Sequence, residues 1–163
     1  MTRSEAREQA FILLFEKIFN PEQSVADMKA VAEECGTFMV DPFAETLSET
    51  AIAYTEQSDR LIESNLRGWK LSRLPKVTLA ILRLAVAEIM CLEEIPDSVS
   101  VNEAVELAKK YGGDEAPKFV NGLLGSVIRA KAPRTEGAAP EAAPAATEQA
   151  SPDAARNTNA AEA

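Results

Sequence analysis

Residue types that could carry out catalysis are few in this chain, and they are not arranged as a catalytic site. The 163 residues include no histidine, which is the commonest general base and a frequent metal ligand. No phosphate-binding glycine loop or nucleophile elbow occurs. Acidic pairs such as Glu33-Glu34 are adjacent in sequence, so their side chains diverge around a helix instead of sharing one site. The sequence therefore contains no recognisable catalytic machinery.

The N-terminal arginines have a spacing that places them together. Arg3 and Arg7 lie four residues apart, so they project from one side of a helix that begins near Thr2. Arginine near a helix N-terminus opposes the macrodipole, a small cost that a functional demand would explain. The alternative is that both arginines pair with Glu5 or Glu8 and serve solubility.

A second combination opens the last helical segment. Lys118 beside Phe119 suits single-stranded RNA, because bases stack on aromatic rings and phosphates attract cations. Alternatively, Phe119 is a core residue facing Leu123 one turn later, and the spacing by itself favours that. Asn121 and the glycine after it could be structural, since glycine permits close helix packing.

The densest basic stretch lies in the middle of the chain and contains Arg67, Lys70, Arg73 and Lys76. The whole chain carries a net charge of −9 and has a pI near 4.7, so any nucleic acid must be held by a local basic patch and not by bulk charge. The stretch is either a secondary RNA contact or a solvated loop, and the sequence alone favours the loop.

Apolar residues recur at helical intervals nearly throughout, and strand alternation is absent. The pattern predicts six or seven helices in an all-α bundle, with the first helix buried centrally because Phe11 to Phe15 is apolar on most sides. The first helix is predicted to begin with a capping box at Thr2 and Glu5 and to end at Asn20-Pro21, where a second helix begins that ends at Gly36. A third helix is predicted to begin at Asp41-Pro42 and to reach Gly68, with a kink near Gln57-Ser58. A later helix is predicted to begin with a capping box at Ser100 and Glu103, and the last helix to begin at about Asp114.

Several single residues have predicted structural roles. Arg83 and Glu88 lie within the most apolar helix, where a charge is costly unless it is paired, so we expect a partner for each. Trp69 is expected to bury its ring at the joint between helical groups. Cys35 and Cys91 form no C-x-x-C pair and are expected to be reduced core residues of a cytoplasmic protein.

Composition changes sharply near the C-terminus. Residues 132–163 contain 13 Ala and 4 Pro and none of Leu, Ile, Val, Phe, Tyr or Trp. Such a segment cannot bury enough apolar surface to offset its ordering entropy, so we predict a folded domain over 1–131 and a disordered Ala/Pro-rich tail over 132–163. No apolar run approaches ~18 residues, so no contact with a membrane is expected.

Five segments, taken together, resemble the NusB family of bacterial transcription antitermination factors. Their order and spacing agree over about residues 2–130, and five segments in register make the match close. The segments are RSEARE at 3–8 with LF at 14–15, W69 followed by LPKV at 74–77, AILRLAVAEI at 80–89, VNEAVELAKKYG at 101–112, and KFVNGLL at 118–124.

The resemblance implies a NusB-like compact all-α unit, in which two small helical bundles pack across each other. It also implies binding of the boxA element of ribosomal RNA leader transcripts together with NusE, a small-ribosomal-subunit protein, within an RNA polymerase antitermination complex. The implied protein is not an enzyme and needs no cofactor.

The resemblance also gives roles to individual residues. Arg3 and Arg7 match the arginine-rich start that the family uses against RNA phosphates, although Ser4, Glu5 and Glu8 dilute this cluster. We expect these arginines to form one composite RNA site with the start of the last helix. The predicted RNA-binding set is Arg3, Arg7, Lys76, Lys118, Phe119 and Asn121.

Two other functions remain open at this stage. The same helical fold occurs as the N-terminal domain of ribosomal RNA cytosine methyltransferases, but that function requires a downstream catalytic domain, where this sequence has an Ala/Pro tail. A protein-interaction bundle that docks a basic ribosomal protein through its acidic surface is the other alternative. The sequence does not decide between a monomer and a homodimer.

Overall fold

Seven α-helices and one 3-10 turn form the part of the chain that this computed structural model describes, which is residues 1–36, 39–68 and 70–131. No strand occurs in these three ranges, and the predicted all-α class is confirmed. The elements are α1 (Arg3–Phe19), α2 (Val25–Glu34), α3 (Pro42–Ala53), α4 (Thr55–Ser64), the 3-10 turn (Leu71–Arg73), α5 (Lys76–Cys91), α6 (Asp97–Tyr111) and α7 (Ala116–Ala130). Trp69 and the predicted tail over 132–163 lie outside the described residues.

Helices α1 and α5 form the centre of the core. Helix α1 packs against α3 and α5, while α5 also packs against α4 and α6. Residues in the middle of both helices are almost completely buried, as the apolar FILLF segment of α1 predicts. The innermost side chains include Ala10, Leu13, Ile81, Leu82 and Val86.

Local signals in the sequence fix several helix ends. The Thr2 side chain accepts a hydrogen bond from the backbone N–H of Glu5 at 3.1 Å and caps α1. Gly36 follows the C-cap of α2 with φ of +71°, a conformation that glycine adopts without strain. Asp41 caps α3, and Pro42 is its first residue. These predicted helix ends are confirmed, but the capping box predicted at Thr2 is only half formed, because the Glu5 carboxylate accepts from the Thr2 hydroxyl and not from its backbone N–H.

Two predicted boundaries are wrong. Helix α2 begins at Val25 and not at Pro21, because Ser24 and Asp27 form a capping box. The long helix expected from Asp41 to Gly68 is divided at Tyr54 into α3 and α4. The Thr55 hydroxyl donates to the carbonyl oxygens of Ala51 and Ile52 near the end of α3, at distances of 3.1 and 2.8 Å, and so competes with continuation of the helix.

The predicted capping box at Ser100 and Glu103 is also wrong. Helix α6 begins three residues before Ser100, with Pro96 as its N-cap. Both side chains instead bond to other helices: Ser100 Oγ donates to Glu88 at 2.9 Å, and Glu103 accepts from Ser4 Oγ at 2.9 Å. The spacing of a capping box is therefore present without its geometry.

The charged residues within α5 find partners as predicted, whereas the cysteines do not occupy core positions. Arg83 forms a two-point ion pair with Asp59 of α4, with both N–O distances 2.8 Å. Cys35 and Cys91 are both free thiols, but both are exposed. Cys35 is the C-cap of α2 and Cys91 is the last residue of α5, so both lie beyond the buried middle of their helices.

Candidate nucleic-acid interface

The first predicted RNA contact, Arg3, lies exposed at the start of α1. Its guanidinium stacks on the ring of Phe43, with its central carbon 4.0 Å from the ring centroid. Phe43 is in the first turn of α3, so the N-termini of α1 and α3 meet here. Asp41, Pro42 and Thr46 line the open cleft beside this stack. Stacking holds the guanidinium flat while its outer N–H groups remain available to a phosphate.

Arg7, by contrast, is only 5% exposed and faces the core. Its Nε donates to both carboxylate oxygens of Glu88 at 3.0 Å, and its Nη2 donates to Oε2 at 2.6 Å. Ser100 supplies a further hydrogen bond to the same Oε2. Arg3 and Arg7 therefore do not present two cations on one exposed face, as their spacing predicts. The guanidinium of Arg7 instead joins α1 to α5.

The start of α7 presents Lys118, Phe119 and Asn121 to solvent. Phe119 is 37% exposed, while the neighbouring Val120 is fully buried. The core face of α7 is therefore set by Val120, Leu123 and Leu124, and the alternative that Phe119 is a core residue is wrong. A cation and an aromatic ring are therefore both exposed in the first turn of α7, where they are available to a phosphate and to a stacked base.

A chain of contacts connects the middle of α1, through the end of α6, to the start of α7. Helix α6 runs parallel to α1, because Ser4 bonds to Glu103 and Glu8 bonds to Lys110. The ring of Tyr111, at the end of α6, lies 4.9 Å from that of Phe11. A Cβ built on Gly112 would lie 2.6 Å from the Cβ of Ala116, the first residue of α7. The first turn of α7 therefore begins within a few residues of the contact between Tyr111 and Phe11. Phe11 itself lies about 12 Å along α1 from Arg3.

Glu8 joins α1 to the end of α6 through hydrogen bonds. Its carboxylate accepts hydrogen bonds from Lys110 Nζ at 2.7 Å and from the Tyr111 hydroxyl. Partial burial by itself raises the pKa of Glu8, but the two hydrogen bonds outweigh it and leave that pKa below its ordinary value. The bond to Glu8 is the main cause that raises the pKa of Tyr111, and also the main cause that raises the pKa of Lys110. At neutral pH this group therefore combines one carboxylate with one ammonium.

An aromatic row along α1 is a feature that the sequence-based set of site residues omits. Phe11, Phe15 and Phe19 follow one another at four-residue spacing, with ring centroids 6.0 and 5.1 Å apart. Phe19 at the end of the row is 58% exposed. The spacing is visible in the sequence, since residues four apart share a helix face. Which rings reach the surface depends on how α6 and α2 cover α1.

Lys76, the remaining predicted residue, lies exposed at the first position of α5. It is twelve residues from Glu88, the partner of Arg7, which corresponds to about 18 Å along the helix. The structure therefore places Lys76 at the opposite end of α5 from Arg7.

Metal sites and membrane spans are both absent from the described ranges. No group of three or more acidic or cysteine side chains there could hold a metal ion. None of the helices described is long and apolar enough to cross a lipid bilayer.

Comparison with known proteins matches this chain to one family. The model of the NusB family matches residues 4–129. The transcription antitermination protein NusB of Clostridium novyi (strain NT) is 44% identical, over 80% of this chain and all of its own length. The corresponding protein of Bacillus subtilis (strain 168) is 41% identical, over 78% of this chain and 95% of its own.

Solved structures agree with the sequence matches. NusB of T. maritima superposes with a TM-score of 0.71 at 29% identity, covering 82% of this chain and 95% of that one. A crystal structure of the antitermination factors NusB and NusE in complex with dsRNA superposes with a TM-score of 0.69 at 32% identity, covering 80% of this chain and 99% of that one. The shared helical fold and the matched sequence show that this chain belongs to the NusB family of transcription antitermination proteins.

Proposed function

We propose that this protein is a non-enzymatic antitermination factor that acts in the cytoplasm. It binds a boxA-type element of ribosomal RNA leader transcripts together with NusE, and the pair joins the RNA polymerase antitermination complex. The related NusB crystallised with NusE and dsRNA supports RNA and NusE as the two partners.

The main observation that supports this proposal is that Lys118 and Phe119 are both exposed at the start of α7. Lys118 makes no ion pair among the described residues, so its charge is available to a ligand. Arg3, stacked on Phe43, supplies a second available cation at the start of α1. Asn121, one turn after Lys118, adds an amide that can donate to or accept from a base edge.

Arg7 has a different role in this proposal from that of Arg3. Since its guanidinium is engaged by Glu88, it positions α1 against α5 and does not contact phosphate. The RNA surface therefore consists of Arg3, Lys118, Phe119 and Asn121.

Titration of a fluorescent boxA-like RNA, with and without purified NusE, tests the proposal. We expect the parent protein to bind more tightly when NusE is present. Arg3→Ala and Lys118→Ala should each weaken binding and lower the salt slope by about 0.7 for each phosphate that is no longer neutralised. Arg60→Ala is the matched control, because Arg60 is an exposed cation of α4 without an ion pair in the described structure.

Two outcomes would contradict the proposal. One is a parent protein that does not bind this RNA in either condition. The other is a pair of variants, Arg3→Ala and Lys118→Ala, that both bind like the Arg60→Ala control. Binding of NusE without any affinity for RNA would identify a protein-interaction module instead.

Association with NusE should depend on salt. The chain carries a net charge of −9, and ribosomal proteins are basic as a class, so electrostatic steering should accelerate encounter at low ionic strength. Stopped-flow association rates that do not change between low and high salt would exclude steering.

A further inference from the structure

The RNA surface proposed above, formed by Arg3, Lys118, Phe119 and Asn121, is called the α1–α7 surface. A second group of cations lies elsewhere in the chain and is called the basic segment: Arg67, Lys70, Arg73 and Lys76. All four side chains are exposed, and none of them makes an ion pair within the described ranges. The sequence from Ser64 to Ala87 contains no Asp or Glu, although the whole chain has 26. The segment is therefore a local positive region in an acidic protein.

Several other cations of the described residues are already engaged. Ion pairs join Lys29 to Glu45, Arg83 to Asp59, and Lys110 to Glu8. The basic segment differs from these in density: four exposed cations without an ion pair in the described structure lie within residues 67–76, which contain no carboxylate, and this concentrates positive charge where an external anion can bind.

Contacts of Leu71 and Leu74 hold the part of the basic segment from Lys70 to Lys76. Leu74, between Arg73 and Lys76, is only 5% exposed and anchors the segment in the core. The 3-10 turn at Leu71–Arg73 is fixed to α4, because Glu63 accepts a hydrogen bond from the Leu71 backbone N–H at 3.4 Å. Glu63 is the one carboxylate that the described contacts bring to this turn, and it is outnumbered by the cations.

The start of α5 adds to the positive potential. Pro75 is the N-cap and provides no side-chain hydrogen bond, so the N–H groups of the first turn are uncapped. Lys76 at the first helical position increases the charge at an end that already carries a partial positive charge. An acidic residue would stabilise α5 better here, which argues for a ligand and not for helix stability.

The basic segment reaches the start of α5, at the opposite end of this helix from the Arg7–Glu88 pair that anchors α1. Lys76 is about 18 Å along α5 from Glu88, and Glu88 lies against Arg7 in the first half of α1. An RNA that occupies the α1–α7 surface must continue beyond it to reach the basic segment.

We propose that the basic segment is a second RNA-binding surface, which holds the phosphate backbone of nucleotides flanking the element bound at α1 and α7. This inference rests on the proposed function. The segment offers point charges and free N–H groups, which suits contacts to phosphates that carry no sequence information. RNA binding at this surface is therefore independent of the flanking sequence and sensitive to salt.

The test compares two RNAs, the boxA-like element alone and the same element extended by unpaired uridines on both sides, each with NusE present. The variant is Lys70→Gln with Arg73→Gln. The control is Lys29→Gln with Arg60→Gln, which removes the same charge from positions on α2 and α4 outside the segment. Circular dichroism establishes that both are folded.

We expect the variant to bind the short element like the control but to bind the extended RNA more weakly. When two phosphates are no longer neutralised, the salt slope falls by about 1.4. Between roughly 50 and 200 mM salt, the affinity of the parent for the extended RNA should therefore fall by about sevenfold more than that of the variant.

The inference is overturned if the variant and the control bind the extended RNA equally. It is also overturned if the variant has a reduced affinity for NusE alone, because the segment would then bind protein. Failure of the parent to bind even the short element would contradict the proposed function. This result comes from the short element alone, so it is distinguished from a failure at the basic segment, which affects only the extended RNA.

Discussion

Arg7 and Glu88, which are 81 residues apart in sequence, form a buried ion pair between α1 and α5 with a closest N–O distance of 2.6 Å. Their side chains are 6% and 2% exposed, and Ser100 of α6 bonds to the same carboxylate. Three helices therefore meet at one charge, and the pair fixes the position of α1 relative to α5 and α6. Arg3 lies one turn before Arg7 on the same helix, so the placement of Arg3 in the proposed RNA surface depends on this pair.

Removing one member of this pair should destabilise the protein strongly. Glu88→Gln leaves the Arg7 guanidinium buried without a counter-charge, and we expect a decrease of roughly 3–5 kcal/mol in the free energy of unfolding, measured with urea. Glu106→Gln is the control, since its ion pair with Lys109 is more than half exposed and is worth about 0–1 kcal/mol. A similar small decrease in both variants would contradict a structural role for the buried pair.

The glycines between α6 and α7 should respond differently to the same substitution. A Cβ on Gly112 would lie 2.6 Å from the Ala116 Cβ and 2.9 Å from the Ala108 carbonyl oxygen, so Gly112→Ala should cost roughly 1–3 kcal/mol through overpacking. Gly113→Ala meets nothing within 4 Å and should leave the unfolding midpoint nearly unchanged. Equal midpoints for the two variants would show that the first turn of α7 does not pack closely on Gly112.

Glu8 should make stability depend on pH on the acidic side. Its pKa in the folded chain is below the ordinary value of 4.5, because the hydrogen bonds from Lys110 and Tyr111 outweigh the opposing effect of burial. The stabilisation is therefore fully present above pH 4.5 and is lost as the pH falls through the lowered pKa. The difference in unfolding free energy between the parent and Glu8→Gln should be constant near neutral pH and shrink below 4.5. A difference that does not change with pH would contradict this.

Phe119 and Val120 should separate binding from stability. Phe119→Ala removes a partly exposed ring, so it should weaken RNA binding by roughly 1–3 kcal/mol with little change in melting temperature. Val120→Ala removes two methyl groups from a fully buried position and should cost roughly 2 kcal/mol of stability with RNA affinity retained in the folded fraction. Circular dichroism melts run beside the RNA titration measure both. A normal RNA affinity for folded Phe119→Ala would remove the ring from the proposed surface.

Much of the helical framework follows from short-range signals that a sequence displays directly. Thr2 caps its helix, Gly36 ends one with a positive φ, and Asp41-Pro42 starts another, because each involves residues within one turn. The buried α1 and the family resemblance follow from the same local spacing of apolar and motif residues. Where two local signals compete, the sequence-based prediction is wrong: Thr55 and Tyr54 interrupt a helix whose periodicity is unbroken.

The tertiary structure alone decided which cations are free. Helical spacing places Arg3 and Arg7 on neighbouring positions, but it does not reveal that Glu88 and Ser100 arrive opposite Arg7 from α5 and α6. In the same way, the two apolar neighbours Phe119 and Val120 differ in burial because of the angle at which α7 lies on the core. A periodic pattern specifies the faces of a helix, whereas the partner of each face is set by contacts between segments many residues apart. Those contacts determine whether a charge stabilises the fold or remains available to RNA.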